Sequence, residues 1–134
     1  MDASVMVAIL VRDSPMAIPN AVLSAMDDGA VISVPSHWHL EVANFLVQAQ
    51  RSGKLDAAGV RLAARLMEHL PIIVDSSQHS QAFSEVIGIA ERNRLTSYDA
   101  AYVHLARTRG ATLVTLDGAL AAAARAEGVD VLAV

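Results

Sequence analysis

Four acidic residues in this sequence are candidate metal ligands: Asp2, Glu41, Asp99 and Asp117. They lie in four separate segments, each near a point where the chain is expected to enter a helix. In α/β proteins, ligands bind beyond the carboxyl ends of the strands, where such connections gather. The spacing therefore predicts that four carboxylates, distant along the chain, meet at one edge of a sheet.

Each of these acids also has an ordinary structural explanation. The first turn of a helix favours acidic residues, which accounts for Asp99, and Asp117 before Gly118 suits a turn or an N-cap. Glu41 is harder to explain in this way. Its surroundings, WHLEVANFLV, are almost wholly apolar, and an unpaired charge there is costly. The first basic residue that follows is Arg51, so a metal cation is a suitable partner for Glu41.

The elements that must position these acids alternate along the chain. Short β-branched runs predict strands at 31–34, 72–74, 111–116 and 129–134. Apolar, amphipathic or Ala-rich segments predict helices at 4–12, 20–28, 37–51, 55–70, 79–92, 97–107 and 118–127. Strands separated by helices need crossover connections and form parallel sheets. The pattern predicts one α/β domain over residues 1–134, a three-layer α/β/α sandwich around a mostly parallel sheet.

Composition narrows the class of protein. The 134 residues contain no cysteine, which excludes disulfide scaffolds, zinc–thiolate sites and thiol catalysis. The chain is 54% hydrophobic and only 18% charged, which excludes disorder, and no apolar run is long enough for a membrane span. No signal peptide is visible, so we expect a soluble cytoplasmic protein without a membrane partner. The net charge of −4 argues mildly against binding nucleic acid by bulk electrostatics.

Four short motifs together resemble a known family. They are DASV from residue 2, Glu41 followed by Ala43 and Asn44, SYDA from residue 97, and TLD from residue 115. In this order and spacing, they resemble the PIN-domain signature, and more narrowly that of VapC-type toxins of bacterial toxin–antitoxin pairs. The resemblance covers essentially the whole chain.

The resemblance implies a PIN-like α/β/α sandwich and an endoribonuclease that binds Mg²⁺ or Mn²⁺ through Asp2, Glu41, Asp99 and Asp117. Asp2 and Asp99 would be the principal ligands, and the partners would be RNA, a cognate antitoxin and a second copy of the chain. The physics agrees, since two carboxylates ~5 Å apart repel by about 3 kcal/mol at an effective dielectric near 20. A hard divalent cation converts that repulsion into binding.

Two neighbouring hydroxyls have alternative interpretations. Ser4 and Thr115 are placed to hydrogen-bond the acids or a metal-bound water. Alternatively, Ser4 is a helix cap and Thr115 an ordinary strand residue, while Ser97 is expected to cap the helix of Asp99. The sequence also departs from the family, whose members carry a central strand before the first aspartate. Here Asp2 follows Met1 directly, so either the natural start lies upstream or that strand is shortened.

Other functions fit less well. A receiver-type phosphotransfer domain needs adjacent acids after the first strand, but Asp27 and Asp28 follow a helix. His37, His39 and Glu41 do not form the His-Glu-x-x-His motif of zinc hydrolases. The main alternative is a non-catalytic PIN-like scaffold that acts by dimerising and binding an antitoxin. The surplus of apolar residues is compatible with both the ribonuclease and the scaffold, because each would bind a protein partner through an apolar surface.

Overall fold

A computed structural model describes residues 1–11, 20–76 and 81–133 of the chain. Within these ranges the helices are α1 Ala3–Val11, α2 Asn20–Asp27, α3 Trp38–Arg51, α4 Ala57–Glu68, α5 Gln81–Asn93, α6 Ser97–Arg109 and α7 Gly118–Ala126. The strands are β1 Ile32–Pro35, β2 Ile72–Asp75, β3 Leu113–Thr115 and β4 Val131–Ala133. The predicted order of elements is confirmed. Three predicted ends, at residues 12, 79 and 134, lie outside the described residues.

The strands are parallel, as predicted, but they form two separate pairs. β1 pairs with β2 with Ile32 opposite Ile72, and β3 pairs with β4 with Leu113 opposite Val131. One continuous sheet was expected. Beside β3, the Asp2 N–H donates to the Val114 carbonyl at 2.9 Å, and the chain then enters α1 at Ala3. No strand among the described residues joins β3 to β1.

A cavity of about 460 Å³ lies between the two strand pairs. Ile32 and Ser33 of β1 line one part of it, and Leu113 and Val114 of β3 line another. In a β-strand the polar backbone groups of successive residues point to alternate sides. Since the Ile32 N–H donates toward β2, the N–H and C=O of Ser33 point away from β2. The cavity therefore lies against the edge of β1 that does not pair with β2.

Helix α6 is the central helix of the domain. Its residues from Ala100 to Ala106 are all buried. This is expected, because a helix with apolar residues on every face must be covered on every side. Trp38, Ile89 and Leu120, from three other helices, belong to the same hydrophobic core. No helix in the described ranges is long and apolar enough to cross a membrane. The core thus fixes α6, whose first turn carries Asp99.

The ends of α6 follow from local chemistry. The N-cap is Thr96 rather than the predicted Ser97, because Thr96 has extended backbone angles and its side chain accepts the Asp99 N–H. Ser97 already has helical geometry. Gly110 ends the helix with φ of 59°, the left-handed conformation that glycine adopts without steric cost.

Candidate active site

Asp2 is a buried carboxylate that joins α1 to β3. Its Oδ1 accepts hydrogen bonds from the Ser4 hydroxyl at 2.7 Å and from the Val5 N–H at 3.3 Å. Its Oδ2 accepts the Thr115 hydroxyl at 2.6 Å, across 113 positions of sequence. Ser4 therefore lies inside α1, and Asp2 itself caps the helix through Val5. Both hydroxyls singled out from the sequence contact the first acid.

Asp117 is linked to Asp2 through one hydroxyl. Its backbone N–H donates to Thr115 Oγ1 at 2.9 Å, and that same oxygen donates to Asp2. The Asp117 carboxylate caps α7, with Oδ1 accepting the N–H groups of Ala119 at 2.7 Å and Leu120 at 3.0 Å. The capping role expected from the sequence is thus real. It also orients the Asp117 carboxylate just after the carboxyl end of β3.

Glu41 is held by a tyrosine that the sequence did not single out. The Tyr102 hydroxyl of α6 donates to Glu41 Oε2, and His37 Nε2 lies 3.8 Å from the same oxygen. Burial raises the pKa of Tyr102 strongly, and the hydrogen bond to Glu41 and the charges of Glu41 and Asp2 raise it further. The Ala3 backbone acts in the opposite direction. Tyr102 thus connects Glu41 of α3 to the buried helix α6.

Asp99 sits at the exposed start of α6 and its described hydrogen bonds are local. The Thr96 hydroxyl donates to Asp99 Oδ2 at 2.7 Å, and the Asp99 N–H donates back to that hydroxyl at 3.1 Å. Residues three apart on a helix lie on the same face. Asp99 therefore shares a face of α6 with Tyr102, the residue that holds Glu41.

An aromatic group lies beside these acids. The His37 ring packs edge-on against Tyr98 and Tyr102, with ring centroids 5.3 and 5.4 Å apart. Tyr98 is 60% exposed, whereas Tyr102 is buried. The sequence does carry one indication of a role for Tyr102: it lies three residues after Asp99, on the same face of the helix. A tyrosine in the apolar segment AAYVHLA is more typical of a core position, and that is why sequence reasoning missed it.

The donor chemistry of the site fits a hard cation, because the four acids offer only oxygen atoms. Within the described ranges, however, no three His, Asp or Glu side chains are grouped closely enough to hold a metal ion. Asp2, Asp99 and Asp117 instead accept hydrogen bonds near the starts of helices, and Glu41 accepts one from Tyr102. The structure thus links Asp2 to Asp117 through Thr115, joins Glu41 to Tyr102, and leaves Asp99 in contact with Thr96.

Comparison with known proteins identifies the family. The family model described as the PIN domain matches residues 1–126. This chain belongs to the PIN domain family. The resemblance drawn from the four motifs is therefore confirmed.

Individual relatives support the same assignment. The chain is 34% identical over 122 residues to Ribonuclease VapC3 of Mycobacterium tuberculosis, in two strains, covering 91% of this chain and 84% of that protein. It is also similar to the crystal structure of PAE2754 from Pyrobaculum aerophilum, with a TM-score of 0.69 and 25% identity. That match covers 97% of this chain and 86% of the other. The predicted α/β sandwich is thereby confirmed, together with the similarity to a VapC-type protein.

Proposed function

We propose that this PIN-domain protein is a metal-dependent endoribonuclease, the toxin of a type II toxin–antitoxin pair. Its substrate would be RNA, and the reaction would be hydrolysis of phosphodiester bonds. Similarity to a protein named Ribonuclease VapC3 supports the substrate class. The catalytic and metal-binding residues proposed are Asp2, Glu41, Asp99 and Asp117.

The observation that carries this proposal is the charge environment of the four acids. Among the described ion pairs, every arginine contacts Asp75, Glu85 or Glu127. The described side-chain contacts of the four site acids are neutral hydroxyls and backbone N–H groups, with His37 near Glu41. The amino group of Met1 is near Asp2, but burial lowers its pKa. A site with several carboxylates and little positive charge suits a bound cation.

The proposed metal is Mg²⁺ or Mn²⁺, held by the four acids. When bound, such an ion supplies a water of lowered pKa and neutralises charge on the scissile phosphate. The protein's own contribution is orientation. Ser4 and Thr115 hold the two oxygens of Asp2, and the first turn of α7 holds Asp117.

An RNA-cleavage assay with matched variants tests the proposal. Asp99→Asn and Asp117→Asn should lower the rate about 100-fold or more, and chelation of divalent metal should do the same. Asp56→Asn is the control, because Asp56 caps α4 by accepting the Gly59 N–H at 2.7 Å, as Asp117 caps α7. It should leave cleavage unchanged. Equal activity in all three variants, or cleavage that resists chelation, would contradict the proposal.

We propose an antitoxin and a second copy of the chain as partners, acting in the cytoplasm. Several large apolar side chains support an interface, among them Leu40 at 73% exposure, Phe83 at 71%, and Leu62 and Leu66 at 53% each. Light scattering of the purified chain, alone and co-expressed with the product of its neighbouring gene, tests this. A stable monomer that does not bind that product would contradict the partner assignment. Stable association without any RNA cleavage would favour the non-catalytic scaffold.

A further inference from the structure

The Tyr102 hydroxyl is the meeting point of three segments at the proposed site. It belongs to buried helix α6, donates to Glu41 of α3, and is affected by the backbone of Ala3 at the start of α1. The charge of Asp2 acts on the same phenol. The phenol is therefore hydrogen-bonded directly to one proposed metal ligand, Glu41.

The surroundings of Tyr102 make it a rigid hydrogen-bond donor. Its side chain is only 3% exposed, and the ring has two rotatable bonds, so its position is set by the core. Glu41 has three rotatable bonds and is partly exposed, so without a partner its carboxylate would sample many positions. The hydrogen bond from the Tyr102 hydroxyl therefore limits the positions that the Glu41 carboxylate can take.

We propose that Tyr102 is a positioning residue, which holds the Glu41 carboxylate in place so that it can bind the divalent cation of the proposed site. Tyr102 touches neither the RNA nor the cation in this role. The inference rests on the proposed function, since it assigns a role in building the same metal site. It adds a residue that contributes no ligand to that site.

The chain offers a matched control, because it contains two tyrosines and both lie on α6. Tyr102→Phe removes the buried hydroxyl, and Tyr98→Phe removes the exposed one four residues earlier. Calorimetric titration with Mn²⁺ alone, without RNA, should show about tenfold weaker binding in Tyr102→Phe. Tyr98→Phe should bind Mn²⁺ like the unmodified protein. Thermal unfolding without metal establishes that each variant is folded.

A double-mutant cycle separates positioning from a general loss of stability. In a Glu41→Gln background, Tyr102→Phe should cause no further loss of Mn²⁺ affinity, because the group that it positions is already gone. An additive loss would overturn the inference. Glu41→Asp, which keeps the charge but shortens the reach to the phenol, should weaken Mn²⁺ binding similarly and serves if Tyr102→Phe does not fold.

Kinetics complete the test. In Tyr102→Phe the Mn²⁺ concentration for half-maximal cleavage should rise about tenfold, while KM for RNA stays unchanged. If the unmodified protein binds Mn²⁺ and cleaves RNA, but Tyr102→Phe does both equally well, the positioning role is overturned and the proposed function stands. If the unmodified protein neither binds Mn²⁺ nor cleaves RNA, both are overturned.

Discussion

Two groups of carboxylates in this fold have opposite surroundings. Glu127 accepts hydrogen bonds from Arg92, Asn93 and Arg107 at 2.8 to 3.1 Å, and Glu85 pairs with Arg107 at 2.8 Å. This arginine-paired group lies on α5, on α6 and at the residue that follows α7. The acids of the proposed site, by contrast, accept hydrogen bonds from hydroxyls and backbone N–H groups.

The different surroundings of the two groups of carboxylates indicate different roles. An arginine next to a carboxylate neutralises the negative charge of that carboxylate within the protein. The paired residues then form a structural network at the surface. Neutral donors orient a carboxylate but leave its charge available to an added cation. The same residue types can therefore serve structure in one region and chemistry in another. The following predictions test this contrast.

The largest expected effect is on activity. Glu41→Gln removes one negative charge from the proposed site and should lower RNA cleavage about 100-fold or more, because a proposed metal ligand is lost. Glu85→Gln removes the same charge from the arginine-paired group and should leave cleavage within about twofold. Initial rates on one RNA substrate at saturating Mg²⁺ provide the measurement. Similar losses in both variants would remove the distinction between the two groups.

The arginine-paired group should instead govern stability. Glu127→Gln should lower Tm by about 3–6 °C, since several charge-assisted hydrogen bonds are lost. The hydrogen bond from Arg92 lowers the pKa of Glu127, so its stabilisation is present above the unfolded pKa of 4.5 and disappears as the pH falls through the folded value. The difference in Tm between the two proteins should therefore shrink at acidic pH. A difference independent of pH would contradict this assignment.

Tyr102 should make the stability of the protein depend on pH in the alkaline range. Its raised folded pKa means that the unfolded chain loses the proton first, near pH 10. Stability should then fall by about 1.4 kcal/mol for each pH unit between the unfolded and folded values. Denaturant unfolding of the unmodified protein and of Tyr102→Phe, from pH 9 to 11, measures this. Equal pH dependence in both would show that the phenol is not buried against Glu41.

The cavity between the strand pairs offers a smaller and independent test. A four-residue extension of alternating β-branched residues before Met1 should enter the cavity, pair with the edge of β1 that faces it, and raise stability by about 1 kcal/mol. It would also replace the buried amino group of Met1, whose pKa burial lowers, with an amide. An extension of four Gly and Ser residues is the control. Equal Tm values for the two extensions would show that the cavity does not accept a strand.

Much of the fold was predictable because its signals are local. Gly110 ends α6 where its left-handed backbone requires glycine, and the β-branched run around Leu113–Thr115 forms a strand. Thr96 and Ser97 are adjacent hydroxyl residues, and only the backbone angles decide which of them caps the helix. The separation of the sheet into two pairs was not predicted, because strand pairing depends on contacts between segments that are distant along the chain.

The candidate site was predictable in part for the same reason. Glu41 stood out as a charge in an apolar segment, and Asp117 stood out at the end of a strand. Tyr102 did not stand out, because its role depends on a contact with Glu41 across 61 positions of sequence. Such a contact exists only once the helices have packed.

The most direct test of the central claim is a crystal of the protein soaked in Mn²⁺, with the anomalous signal of the metal recorded. We predict a Mn²⁺ peak that is contacted by carboxylate oxygens of Asp2, Glu41, Asp99 and Asp117. In that crystal the Asp99 carboxylate should no longer accept the hydrogen bond from the Thr96 hydroxyl. It also predicts no Mn²⁺ beside the arginine-paired Glu85 and Glu127. Crystals that hold the protein in its native fold, yet show no Mn²⁺ at the four acids, would contradict the account.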